Sequence, residues 1–260
     1  MSALAGKRVV VTRAEHQATE LAEILEEVGA TALRCPTIAV GPPDSWTDLD
    51  EALGRLDEYR WVVFTSSNGV RAVVSRLADS GAPARLRAAR VAAVGSSTAG
   101  ALAAHGIRAA YVPHIERSRS LAESLPEVAG SRILLARADI ADPAVARTLR
   151  ERGAERVDDV AAYRTSLLAP SGDALEELRR GVDGITFTSP STVRGFLELG
   201  KESKALIDGV VVATLGPAAA DFARRMGIDV TAEARTRSMS GLVDALETAF
   251  GTVEPRRRGE

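Results

Sequence analysis

The chain is poor in cysteine, histidine and lysine, and the first two shortages each remove a class of chemistry. One cysteine, Cys35, among 260 residues excludes an internal disulfide and a cysteine-based metal cluster. The three histidines, His16, His105 and His114, lack metal-ligand spacing and a nearby carboxylate pattern, so no metal site is expected. No apolar run reaches the length of a membrane span. The N-terminus lacks the basic-then-apolar layout of a secretory signal. The expectation is a cytoplasmic protein with no membrane partner. The formal net charge of −2 gives no electrostatic reason to expect a nucleic-acid partner. Lysine is confined to Lys7, Lys201 and Lys204, so the basic side chains are nearly all arginine, which suits carboxylate or phosphate but for most of them reflects a GC-rich genome.

Catalytic signatures are also missing. No G-x-G-x-x-G follows the first strand candidate, and no GxxxxGK[ST] cradle occurs. There is no nucleophile elbow, no H-E-x-x-H and no candidate Cys-His pair. An enzyme with this sequence is expected to work without metal, nucleotide or covalent nucleophile, and so with no cofactor.

What is present is a rhythm. "RVVVTR", "WVVFTSS", "RVAAVGSS", "RILLARA", "GITFTS" and "VVVATLG" are short apolar runs of the kind buried on both faces of a sheet. Helical patterns such as "ATELAEILEEVGA", with a Gly just past the end, lie between them. This alternation predicts an α/β fold with parallel sheets covered by helices.

The rhythm repeats. "GKRVVVTRA" from Gly6 matches "GSRILLARA" from Gly130, and the same offset pairs Leu25 with Leu149 and Gly29 with Gly153. "FTSSNGVR" from Phe64 matches "FTSPSTVR" from Phe187. "AVGSSTAGALAAHGI" matches "TLGPAAADFARRMGI", aligning Gly95 with Gly216. Glycine-ended helices recur in any α/β protein. FTS with VR, and RA after a strand, in the same order twice indicate an internal duplication.

The repeated turns carry the functional expectation. Ligands of open parallel sheets bind beyond the carboxyl ends of the strands. Helix N-termini there expose unpaired N–H groups and a positive dipole end, which together favour anions. Ser66, Ser67 and Asn68 supply side-chain donors at one turn, and Gly95, Ser96, Ser97 and Thr98 form the next. Ser189, Pro190, Ser191 and Thr192 form a third, and Gly216 and Pro217 a fourth. Ser, Thr and Asn are also the preferred helix caps, so a single such turn is more often a cap than a ligand site. Four together point to a ligand with several spread acidic groups. Arg13 and Arg137, equivalent at strand ends, are candidates for its carboxylates, with an exposed strand-end arginine as the alternative.

With these motifs in order, the chain resembles the uroporphyrinogen-III synthase family over roughly residues 7–249. The matching pieces are "VVVTRA", "VVFTSSNGV", "AAVGSSTAGAL", "RILLARA", "VAAYRT", "ITFTSPSTV" and "LGPAAADFARRMGI". The resemblance implies two flavodoxin-like or Rossmann-like lobes joined by a two-stranded linker. Lobe one would be 1–35 plus 168–260, lobe two 41–160, the linkers 36–40 and 161–167, and 254–260 a disordered tail. The implied substrate is hydroxymethylbilane, a linear tetrapyrrole with eight carboxylates. It would be closed with loss of water and inversion of the last ring, by a cofactor-independent lyase acting as a monomer. Transient contact with the preceding pathway enzyme is also implied. Tyr163, in "VAAYRT", matches the family's linker tyrosine and is the expected catalytic residue; its alternative role is an aromatic covering the linker. Thr98, Ser189 and Ser191 match binding positions. "GPAAA" departs from a threonine pair often seen there, so Ala218 and Ala219 lack those hydroxyls. That departure keeps open a non-catalytic tetrapyrrole-binding or regulatory module, and more remotely a receptor for another anionic small molecule.

Overall fold

The computed structural model describes residues 2–81, 84–200 and 202–252. The tail expected at 254–260 lies outside them. The strands in chain order are β1 (Arg8–Val11), β2 (Thr31–Arg34), β3 (Ile38–Gly41), β4 (Trp61–Phe64), β5 (Val91–Ala93), β6 (Ala109–Tyr111), β7 (Arg132–Ala138), β8 (Arg156–Leu167), β9 (Gly184–Phe187), β10 (Val211–Thr214) and β11 (Ala232–Glu233). The helices are α1 (Glu15–Glu27), α2 (Thr47–Gly54), α3 (Ser67–Asp79), α4 (Ala84–Ala88), α5 (Ser96–Ala103), α6 (Ser118–Ser124), α7 (Ala144–Glu151), α8 (Gly172–Arg179), α9 (Pro190–Leu197), α10 (Glu202–Leu206), α11 (Pro217–Arg225) and α12 (Met239–Thr252). Among the described residues no helix is long and apolar enough to cross a membrane.

The chain divides into two units, residues 1–39 with 166–260 and residues 40–165. The first, lobe one, holds a sheet of order β11-β10-β9-β1-β2, and its strand pairs are parallel. In lobe two the order is β3-β8-β7-β4-β5-β6, parallel from β8 to β6. Both are flavodoxin-like: lobe one read from β2 runs 2-1-3-4-5 in chain order, and lobe two read from β8 has the same layout circularly permuted, because β7 and β8 follow β4, β5 and β6 in the chain. The duplication explains the match. The β1-α1-β2 unit that opens the first repeat lies in the sheet formed by the end of the second repeat. The β7-α7-β8 unit is placed reciprocally. Gly29 and Gly153 end the two equivalent helices at φ of 85° and 86°, a left-handed cap that favours glycine.

The apolar runs behave as two-faced strands. Val62, Phe64, Leu134 and Ala136 enter one core of lobe two, while Trp61, Val63, Ile133 and Leu135 enter the core on the opposite face. In lobe one, Val9, Val11, Val211 and Ala213 face α1 and α12, whereas Val10, Ile185, Phe187 and Val212 face α9 and α11. The period of two of a strand forces this division. Each fully buried Val, Leu or Phe contributes about 1.5–3 kcal/mol of burial free energy.

The segments expected as linkers are regular structure. Ile38–Gly41 is the strand β3, which neighbours β8, and 161–167 is the second half of the continuous β8. An extended backbone can satisfy its hydrogen bonds only by such pairing. Thr37, fully buried, fixes the chain before β3. Its hydroxyl lies 3.2 Å from the Thr12 carbonyl and 3.0 Å from that of Thr192, to which it donates. The Thr37 carbonyl accepts the Leu168 N–H at 2.9 Å. It also presses on α9, because a Cβ on Gly195 would stand 2.1 Å from it. Gly195→Ala should therefore cost about 1–3 kcal/mol by overpacking, seen as a lower urea midpoint; an unchanged midpoint would show that α9 slides freely.

Candidate active site

Both sheets reverse their winding between neighbouring strands, at β7/β4 in lobe two and β1/β9 in lobe one. The turns leaving these strands therefore border a crevice at the carboxyl ends.

In lobe two Phe64 is buried beneath the turn, and Ser66 adopts the extended N-cap conformation before α3. The Ser66 Oγ accepts the Gly69 N–H at 3.1 Å. It also stands 2.9 Å from the Tyr163 hydroxyl, and either oxygen can donate. With the cap bond occupying a Ser66 lone pair, the serine proton can turn to Tyr163, which leaves the phenol proton for a ligand. Tyr163 projects from β8 and is only 8% exposed. Burial pushes its pKa up, against the opposing effect of hydrogen bonds from Ser66 and Asn68, so the phenol stays protonated at neutral pH. Gly69 is required here: a Cβ would sit 2.7 Å from the Ala136 carbonyl of β7.

The four hydroxyl-rich turns share one helical phase. The third helical position is Gly69 in α3, Thr98 in α5, Thr192 in α9 and Ala219 in α11, and all four are buried. That position faces the sheet. The serine caps and the first two positions are more open, whereas the glycine caps Gly95 and Gly216 are buried: Ser66, Ser67 and Asn68 are half-buried, and Ser96 and Ser97 are exposed. Ser189 and Ser191 are half-buried, with their hydroxyls 2.8 Å apart. Thr98 and Thr192, expected as ligand donors, point inward instead. The Thr192 hydroxyl closes a capping box with Ser189 and donates to the Ser189 carbonyl at 2.8 Å. The same phase makes Ala219 harmless, since a hydroxyl there would be buried; only exposed Ala218 represents a lost donor.

Two further expectations need correction. Arg137 is 3% exposed, and its guanidinium grips Asp159 with two nitrogens, Nε at 2.6 Å from Oδ1. Nη1 donates to the Asp142 carbonyl at 2.7 Å. It is a packing element of lobe two, with its fork committed to Asp159 and Asp142. Ser96 faces outward, but its N–H and hydroxyl already meet the Glu116 carboxylate at 3.0 and 3.3 Å. The first turn of α5 is thus capped from within the protein. The equivalent turn in lobe one differs: Arg237 covers Gly216, where a Cβ would lie 2.8 Å from Nε. Pro217 opens α11 beside it. Arg13 is half-buried after β1, with Nη1 2.6 Å from the Met239 sulfur.

Sequence reading missed Asp139, Asp159, Glu116, Arg237 and Thr37. Only Asp159 left a signal: "VDDV" puts adjacent acids in an apolar strand, and each must find a partner. Asp158 meets the Tyr59 hydroxyl and Arg156, while Asp159 meets Arg137.

The comparisons with known proteins agree with this architecture. Residues 19–244 match the family model described as uroporphyrinogen-III synthase HemD. The chain belongs to the uroporphyrinogen-III synthase family. It is 36% identical over 255 residues to the uroporphyrinogen-III synthase of Synechococcus elongatus, covering 94% of this chain and 96% of the relative. The uroporphyrinogen-III synthase of Chlorobaculum parvum is 31% identical over 238 residues, covering 86% and 91%. Among solved structures, a mutant uroporphyrinogen III synthase from Thermus thermophilus superposes with a TM-score of 0.70, covering 95% of this chain and all of that one. At 23% identity that likeness establishes the fold.

Proposed function

We propose that this chain is a uroporphyrinogen-III synthase that closes hydroxymethylbilane, with loss of water and inversion of the last pyrrole, to uroporphyrinogen III. The observation that carries the reading is the Tyr163 phenol, protonated, buried and held 2.9 Å from Ser66 beside the switch point of lobe two.

The chemistry asks little of the protein beyond one proton and a shape. The C–O bond of the terminal hydroxymethyl group breaks with its electron pair on oxygen. Tyr163 donates its proton to that oxygen, and water departs. The electron-rich pyrroles carry the resulting positive charge. Attack on this cation by the substituted carbon of the last ring, followed by migration, inverts that ring. Proton loss on rearomatisation restores the phenol. Free substrate can close without inversion, so the enzyme's main contribution is to restrict conformation. The donors for substrate carboxylates are the outward hydroxyls Ser67, Ser189 and Ser191, with the Asn68 amide, the Ser97 hydroxyl and backbone N–H groups of the α11 turn after Pro217, which itself has no N–H to give. No step in this sequence calls for a metal or an organic cofactor.

Ala218 in place of a hydroxyl favours one competing reading, a tetrapyrrole-binding module without turnover. Incubation with freshly made hydroxymethylbilane separates the two by the isomer formed.

A further inference from the structure

Asp139 follows directly after β7, where the strand reaches the lobe-two crevice. Its N–H donates to the Tyr163 carbonyl at 3.1 Å. Its Oδ1 accepts the Thr165 N–H at 2.9 Å. Tyr163 and Thr165 are two apart on β8 and so share a side of the strand. The carboxylate thus stands beside the strand segment that presents the phenol, and it is exposed. Asp158 and Asp159 on β8 are held by arginines, but among the described residues no Lys or Arg pairs with Asp139. A carboxylate without a counter-ion is a poor neighbour for a substrate with eight carboxylates. It is a good neighbour for a cation that forms during the reaction.

We propose that Asp139 is a second catalytic residue, whose carboxylate faces the conjugated pyrrolic cation formed when the hydroxyl leaves. The inference rests on the synthase reading above. The balance is that of the step already given: the phenol proton goes to the departing oxygen, water leaves, one positive charge stays on the pyrrole system and one negative charge on the Tyr163 phenolate until rearomatisation returns the proton. Asp139 forms no bond and transfers no proton. Its charge is constant, and its attraction for the new cation grows as the C–O bond breaks. Burial pushes the Tyr163 phenol up, and the Asp139 charge pushes it the same way, consistent with the two groups sensing each other. Arg71, tied to Asn68, acts on that phenol in the opposite direction.

Asp139→Asn isolates the charge, because the amide oxygen still accepts the Thr165 N–H. The test uses the full chain and hydroxymethylbilane made in situ. The expected result is kcat lower by about 10- to 100-fold with KM unchanged or lower, since ground-state repulsion is relieved. A wild-type kcat, or a raised KM with kcat unchanged, would overturn the proposal. If that variant does not fold, Asp139→Glu and Asp139→Gln replace it. These two match in length, and a Gln variant as active as the Glu variant would equally overturn it. Failure of the underlying reading looks different: the wild type itself would give only the uninverted isomer.

Discussion

Tyr163→Phe lowers kcat by about 100-fold and leaves the protein folded. The ring fills the same buried space at the edge of the lobe-two core, beside Val160 and Ala162. The phenol's hydrogen bonds with Ser66 and Asn68 are lost, while Ser66 still accepts the Gly69 N–H that caps α3. A neutral hydrogen bond of this kind is worth about 1 kcal/mol in stability. The hydroxyl's chemical role is larger, because without it the departing oxygen must leave as hydroxide or wait for a proton from water. Single-turnover kinetics with a matched thermal melt separate these effects. An unchanged rate would reduce Tyr163 to the aromatic cover considered in the sequence analysis.

A second large effect is on stability. Asp159→Ala strands the Arg137 guanidinium, 3% exposed, without its carboxylate. Removing one partner of a buried ion pair costs about 3–5 kcal/mol. The Asp159 side chain is 27% exposed, which lets water temper the loss and favours the lower end, about 3 kcal/mol. Replacing both by apolar side chains of similar volume, Arg137→Met with Asp159→Leu, should recover most of it, since the pair's net worth is small when its burial cost is counted. Urea denaturation measures both. A single variant as stable as wild type would mean that Arg137 does not depend on Asp159 and is available to ligand after all.

These two residues show what could and could not be read from the sequence. The fold was legible because it rests on strong local patterns. Apolar runs such as "WVVF" and "GITF" can only be strands buried on both faces, and the repeat of "FTS" and "RA" fixes their order. Tyr163 was legible only through the resemblance of "VAAYRT" to the family's linker segment. The destination of strand-end side chains was not. Arg13 and Arg137 are equivalent in the duplication, yet one lies against a methionine and the other is buried on Asp159. Which side a strand-end residue faces depends on register, and one step reverses it. Thr98 and Thr192 failed for the helical version of the same reason. A hydroxyl at the third position of each helix points to the sheet, while those one or two places earlier face outward. Tertiary partners such as Glu116, which arrives from the approach to α6 to cap α5, leave no local trace.

The central claim is the reaction itself. The direct measurement is the isomer composition of the product when hydroxymethylbilane is generated in the presence of this protein. Uroporphyrinogen III should predominate and should form faster than spontaneous closure. Uroporphyrinogen I alone, at the rate seen without protein, would contradict the account.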